Sequence, residues 1–144
     1  MKIFLDTSSL IKLYHEEIGS EYLDSLFENQ NIAEIFLSEI SKVEYKSAIF
    51  KKQRMKELDI EASESLINSF VQDYFKYSFI KLTSNLLESA SFQIEKYGNF
   101  GLRTLDAIQL ASVLEVKNEI RLAISDDNLL NKFCDFEGIA TKLN

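Results

Sequence analysis

Proline is absent from the 144 residues, glycine occurs four times, and cysteine and histidine occur once each. Without proline, and with so little glycine, no linker-like or low-complexity stretch divides the chain. No repeat of solenoid length is present either. Residues 1–144 are therefore expected to form one domain, long enough to bury a core without staples. A lone Cys134 excludes an internal disulfide and a thiolate zinc cage. Nothing near it resembles an activating base, so a free, buried thiol is expected. A lone His15 excludes a two-histidine metal site, and any Ser-His-Asp triad would have to use it. Between Tyr14 and Glu16 it reads as a surface residue. No apolar run is long enough to span a membrane, and no basic-then-apolar leader opens the chain. The expectation is a cytoplasmic protein with no membrane partner.

What is present is ordinary globular material, 46% hydrophobic and 27% charged. The net charge of −7 argues against broad, non-specific nucleic-acid binding. It does not argue against a nucleic-acid enzyme, because metal ions invert the charge of an acidic site. Lys42, Lys46, Lys51, Lys52, Arg54 and Lys56 fall in one short region. A solvated helix face and a phosphate-contacting patch explain them equally well.

Short apolar runs alternate with amphipathic segments. Strands are expected at Lys2–Leu5, Ile35–Leu37, Phe79–Leu82, Arg121–Ile124 and, last, Gly138–Lys142. Helices are expected at Leu10–Tyr14, Ser20–Glu28, from Ser38 as cap to about Lys56, and then at Ile60–Tyr77, Ser84–Tyr97, Leu105–Val116 and Asn128–Phe133. Gly98–Thr104 reads as a loop. This alternation predicts an α/β fold of three layers, α/β/α, with a short, mainly parallel central sheet. Ligands of such sheets sit beyond the carboxyl ends of the strands.

Four places carry carboxylates in apolar surroundings. Asp6 ends the first strand and is followed by Thr7, Ser8 and Ser9; a helix cap explains that arrangement as well as a ligand does. Glu44 lies on the stripe Ile40, Val43, Ser47 and Ala48, where a carboxylate is costly unless paired or metal-bound. Its alternative is the edge of the stripe, with a stem reaching water. Glu39 reads as a first-turn acid complementing the helix dipole. Asp106 falls in a first turn after Thr104, a plausible cap, within an otherwise apolar helix start. Asp126 and Asp127 follow Ser125 at the end of another strand, and one of the two is expected to cap the next helix. At one sheet edge these acids would repel one another. A hard divalent cation removes that repulsion, and an all-oxygen donor set favours Mg²⁺ or Mn²⁺.

In this order, LDTSSLIKLY, SEISKVEYKSA, GLRTLDAIQLAS and SDDNLL resemble the PIN domain, and most of all the VapC-type ribonuclease toxins of toxin–antitoxin pairs. The ordered set is specific, although no single motif is. The resemblance puts the acidic site on Asp6, Glu44, Asp106 and Asp126, with Asp6, Asp106 and Asp126 as metal ligands. Thr7, Ser8, Arg103 and Asp127 take supporting places; Asp127, adjacent to Asp126, is the alternative fourth acid, although the spacing to Leu129 and Leu130 favours Asp126. It implies a Mg²⁺- or Mn²⁺-dependent endoribonuclease that hydrolyses RNA phosphodiester bonds, a small antitoxin partner, and a homodimer.

A basic residue often follows the fourth acid in this family; here Asp127 and Asn128 stand instead, making the site more negative. The competing reading is a non-catalytic PIN-like module that binds RNA or protein. A phosphoryl-accepting receiver needs an acidic pair near its first strand, but here the pair comes late. A haloacid-dehalogenase-type phosphatase needs a second Asp two residues after the first, where Ser8 stands.

Overall fold

Alternating burial along short strands sets the architecture of the computed structural model, which describes residues 1–143. Side chains of a strand point to opposite faces with a period of two. In β1 (Lys2–Leu5) Phe4 joins one core, and Ile3 and Leu5 join the other. β2 (Glu34–Ser38) splits Phe36 and Leu37 in the same way, and β4 (Leu122–Ile124) splits Ala123 from Leu122 and Ile124. A sheet with two apolar faces must be covered on both.

On one face lie α1 (Thr7–Lys12), α2 (Ser20–Asn29), α3 (Ser41–Arg54) and α4 (Ile60–Gln72), contributing Leu10, Leu23, Tyr45, Ile49 and Phe70 to that core. On the other lie α5 (Ser84–Tyr97), α6 (Thr104–Glu115) and α7 (Asn128–Phe136), contributing Leu86, Leu110 and Phe133. Fully burying one such side chain contributes about 1.5–3 kcal/mol. The three-layer expectation holds.

The strand order is β3-β2-β1-β4, with β3 at Ser78–Ile80, and every pairing is parallel. Leu5 pairs with Leu37 on one side and Ile124 on the other. The chain builds outward from β1 through β2 to β3 and then places β4 on β1's opposite flank. Connections leaving the carboxyl ends of β1 and β4 therefore diverge, which makes the switch point where open α/β sheets place their sites. Among the described residues no helix is long and apolar enough to cross a membrane.

Several element expectations are corrected. Gly138–Lys142 is not a strand; the segment gives β4 one backbone hydrogen bond, from Ala123 N to Ala140 O at 2.9 Å. The helix at Ile60 stops at Gln72, and Phe75 beyond it is exposed. Ser38 ends β2 rather than capping α3: its Oγ accepts from Ile40 N in a turn, and α3 begins at Ser41. Glu39 thus precedes the helix, and Glu44 is the acid of its first turn. The buried stripe of α3 is Ser41, Tyr45 and Ile49, while Val43 is 66% exposed. Glu44 sits half-buried beside that stripe. Thr104 is the first residue of α6, with Arg103 in the cap position. Cys134 is buried as expected, which pushes its thiol up to about 12.

Candidate active site

Asp6 follows β1 directly, and its backbone N–H donates to Ile124 O at 3.2 Å, tying the ends of β1 and β4. Its side chain caps α1. Oδ1 accepts from Ser9 N at 3.0 Å and from Ser8 Oγ at 2.7 Å, and Oδ2 accepts from Ser125 Oγ. Burial pushes the Asp6 carboxyl up to about 6; the three donors pull it the other way, and the charge of Asp127 adds to the rise.

Asp106, in the first turn of α6, is likewise pushed up to about 6. Burial is the largest cause, followed by Asp127, Glu44 and Asp6. Asp127 is the acid whose charge contributes most to that rise. The four groups therefore feel one another: Asp6 after β1, Glu44 on α3, Asp106 on α6 and Asp127 after β4.

Glu44 Oε1 accepts from Thr7 Oγ1 at 2.9 Å and from Gln109 Nε2 at 2.7 Å. Thr7 and Ser8 thus divide the work, Thr7 holding Glu44 and Ser8 holding Asp6. Arg103 stands exposed three residues before Asp106, in no ion pair among the described residues.

Asp126 stands apart from the other acids of the expected set. Its side chain is 59% exposed and turned to Lys12, with Nζ and Oδ1 2.6 Å apart. Its backbone N–H donates to Ser8 Oγ at 3.0 Å, so it fixes the loop from outside. Asp127 caps α7, accepting from Leu129 N at 2.9 Å, and it is the acid that raises both Asp6 and Asp106. Sequence reading missed Lys12, Ser41 and Gln109 and gave Ser125 no role. A lysine inside the apolar run of α1, and a glutamine between Ile108 and Leu110, were the available signals.

Among the described residues no three acidic side chains stand in a ready-made ligating group. The donor set nonetheless fits a hard cation. All its oxygens are carboxylate or hydroxyl, which suits Mg²⁺ and Mn²⁺. A carboxylate has about four lone-pair positions, and three donors occupy three of those of Asp6, leaving one for a cation. Two of the acids are held high by burial and mutual repulsion, a cost that a cation relieves. A cavity of about 680 Å³ is lined by Gln53, Lys56, Leu58 and Asp59 and contains none of these acids. A smaller one of about 360 Å³ runs from Ser8 and Asp126 past Ala48 to Lys51 and Met55.

The family model of the PIN domain matches residues 3–135. The chain belongs to the PIN domain family. Among solved structures, this PIN domain is similar to the Mycobacterium tuberculosis toxin VapC20, described as cleaving the sarcin–ricin loop. The two are 15% identical, cover 99% of each other and superpose with a TM-score of 0.71. It also resembles VapBC2 from Rickettsia felis, solved with a fragment of its promoter DNA, at 14% identity over 99% of this chain and 98% of the other, TM-score 0.63. A toxin–antitoxin complex from Klebsiella pneumoniae matches at 17% identity over 87% and 86% of the chains, TM-score 0.60. No curated protein matches the chain. These likenesses establish the fold.

Proposed function

We propose that this protein is a Mg²⁺- or Mn²⁺-dependent endoribonuclease and the toxin of a toxin–antitoxin pair. The observation that carries the reading is the placement of Asp6 and Asp127 as caps past the paired ends of β1 and β4, with Glu44 tied to Thr7 beside Asp6 and to Gln109 one turn after Asp106. In this reading Asp6, Asp106 and Asp127 hold the cation, and Asp126 is replaced by its neighbour as the fourth acid. When bound, the cation supplies positive charge to the phosphodiester oxygens and acidifies water.

The chain's own residues do the rest. Ser8, Ser125 and the backbone of Ser9 fix the Asp6 carboxylate at the strand end. Glu44, anchored through one oxygen, turns the other to the cation's place, where its charge would help hold the cation and where it orients the attacking water and accepts its proton. Exposed Arg103 and Lys51 offer positive charge to the phosphates on either side. A protein of net charge −7 then relies on such local contacts for RNA affinity.

Asp6→Asn tests the reading most directly. Metal-free protein is loaded with Mg²⁺ or Mn²⁺ and given a panel of structured RNAs. Wild type is expected to cut and Asp6→Asn not to cut. Wild type that cuts nothing in either metal, free of any copurified antitoxin, sinks the reading in favour of a non-catalytic binding module. The VapBC2 and Klebsiella pneumoniae complexes support a small antitoxin as partner. Exposed Ile18 before α2 and exposed Tyr22 on it support a homodimer, which light scattering measures.

A further inference from the structure

Gln109 lies one turn after Asp106 on α6, is 3% exposed, and makes its contacts inside the site. Its Nε2 is 2.7 Å from Glu44 Oε1, 3.2 Å from Ser41 Oγ and 3.3 Å from Thr7 Oγ1. Its Oε1 is buried with no hydrogen-bond partner. An orphaned buried amide oxygen is costly, and turning the amide over would move that oxygen. The turn is blocked, because an ionised carboxylate only accepts and so demands the NH₂ face. The amide's orientation is thus dictated by Glu44 at the expense of its own oxygen.

The proton directions around Glu44 follow. One Gln109 N–H donates to Glu44 Oε1 and the other to Ser41 Oγ. Thr7 donates its hydroxyl proton to Glu44 Oε1, so in the 2.9 Å contact between Thr7 and Ser41 it is Ser41 that donates. Two chains of donors, one direct and one through Ser41 and Thr7, end on the same carboxylate oxygen. Oε2 has no hydrogen-bond partner among the described residues.

We propose that Gln109 is a positioning residue: with Thr7 and Ser41 it clamps Oε1 of Glu44 so that Oε2 alone is presented to the acidic cluster. The inference deepens the divalent-metal reading and rests on it. Gln109 touches neither substrate nor cation; it acts through Glu44. A polar residue that merely filled a core would show no dependence on Glu44.

The test is a double-mutant cycle on Mn²⁺ uptake by the full chain, read by electron paramagnetic resonance of free Mn²⁺, with thermal unfolding as a check on folding. Gln109→Leu is expected to weaken uptake about tenfold in the wild-type background and less than about twofold beside Glu44→Gln. Thr7→Val removes the second donor to Oε1 and is expected to show the same coupling, which keeps the test readable if Gln109→Leu does not fold. Equal weakening in both backgrounds, or none in the wild-type background, overturns the inference and leaves the metal reading standing. Wild-type protein that takes up no Mn²⁺ overturns the metal reading and this inference with it.

Discussion

The two strand ends that form the site are written almost alike, LDTSS after β1 and ISDDN after β4, yet they place their acids differently. At the first, the acid follows the strand at once, is buried, and caps α1. At the second, Ser125 intervenes and two acids follow. The first of them, Asp126, turns outward to Lys12, and the second, Asp127, caps α7 and faces the cluster. In both corners the helix cap is also the cluster acid. Capping and ligation are usually weighed as rival explanations of such a residue, but a cap here also faces the other acids, for a geometric reason. A cap's side chain folds back over the helix N-terminus, and both helix N-termini stand at the carboxyl edge of the sheet.

The comparison breaks first at Asp6. Asp6→Asn keeps an oxygen for Ser9 N and is expected to lower RNA cleavage by about a thousandfold, with the fold intact by circular dichroism. Removal of a buried carboxyl is also expected to raise the metal-free protein's melting temperature above pH 6. An Asp6→Asn protein that cuts like wild type would end the assignment.

The second corner gives a sharper pair. Asn caps a helix about as well as Asp, so Asp127→Asn and Asp126→Asn differ mainly in charge. Asp127→Asn is expected to lower cleavage by about a hundredfold and Asp126→Asn by no more than about threefold. The reverse ranking would return the fourth acid to Asp126.

The third contrast is one of pH. Asp6 and Asp106 are both raised in the folded state, so their protonated forms favour folding. Their contribution is full below about pH 4 and is lost as the pH rises through about 6. For buried Asp6 the loss is about 3 kcal/mol; Asp106 is only half-buried and contributes less. Metal-free protein should therefore lose stability between pH 4 and 7 in chemical-denaturation series, and saturating Mg²⁺ should remove most of that slope.

Much of the fold was legible because strand alternation and helical periodicity are local. Where local pattern did not suffice, expectation failed. The buried face of α3 is carried by Ser41 and Tyr45, residues that hydropathy does not place inside, and so the stripe was read one position away from its true place. The acids Asp6, Glu44 and Asp106 were legible as carboxylates in apolar surroundings. Which of Asp126 and Asp127 turns aside was not, because Asp126 is drawn to Lys12, more than a hundred residues away, whose stem is buried and whose ammonium needs a partner. Gln109 went unread for the same reason: its partners lie on α1 and α3.

The smallest expected effect tests why Asp126 points away. Gly19 holds φ at +95°, and a Cβ there would lie 2.5 Å from Lys12 Nζ and 3.6 Å from Asp126 Oδ1. The Lys12 ammonium is thus pinned between the turn before α2 and the loop before α7. Gly19→Ala is strained in that conformation and must also push Nζ aside, for a loss of about 1–2 kcal/mol, measurable as a lowered denaturation midpoint. Because Ser8 still holds the Asp126 backbone and Ser125 still holds that of Asp127, cleavage should fall by no more than about twofold. A large loss of cleavage with little loss of stability would mean that the Lys12–Asp126 pair, rather than the serine hydroxyls, keeps Asp127 turned toward Asp106.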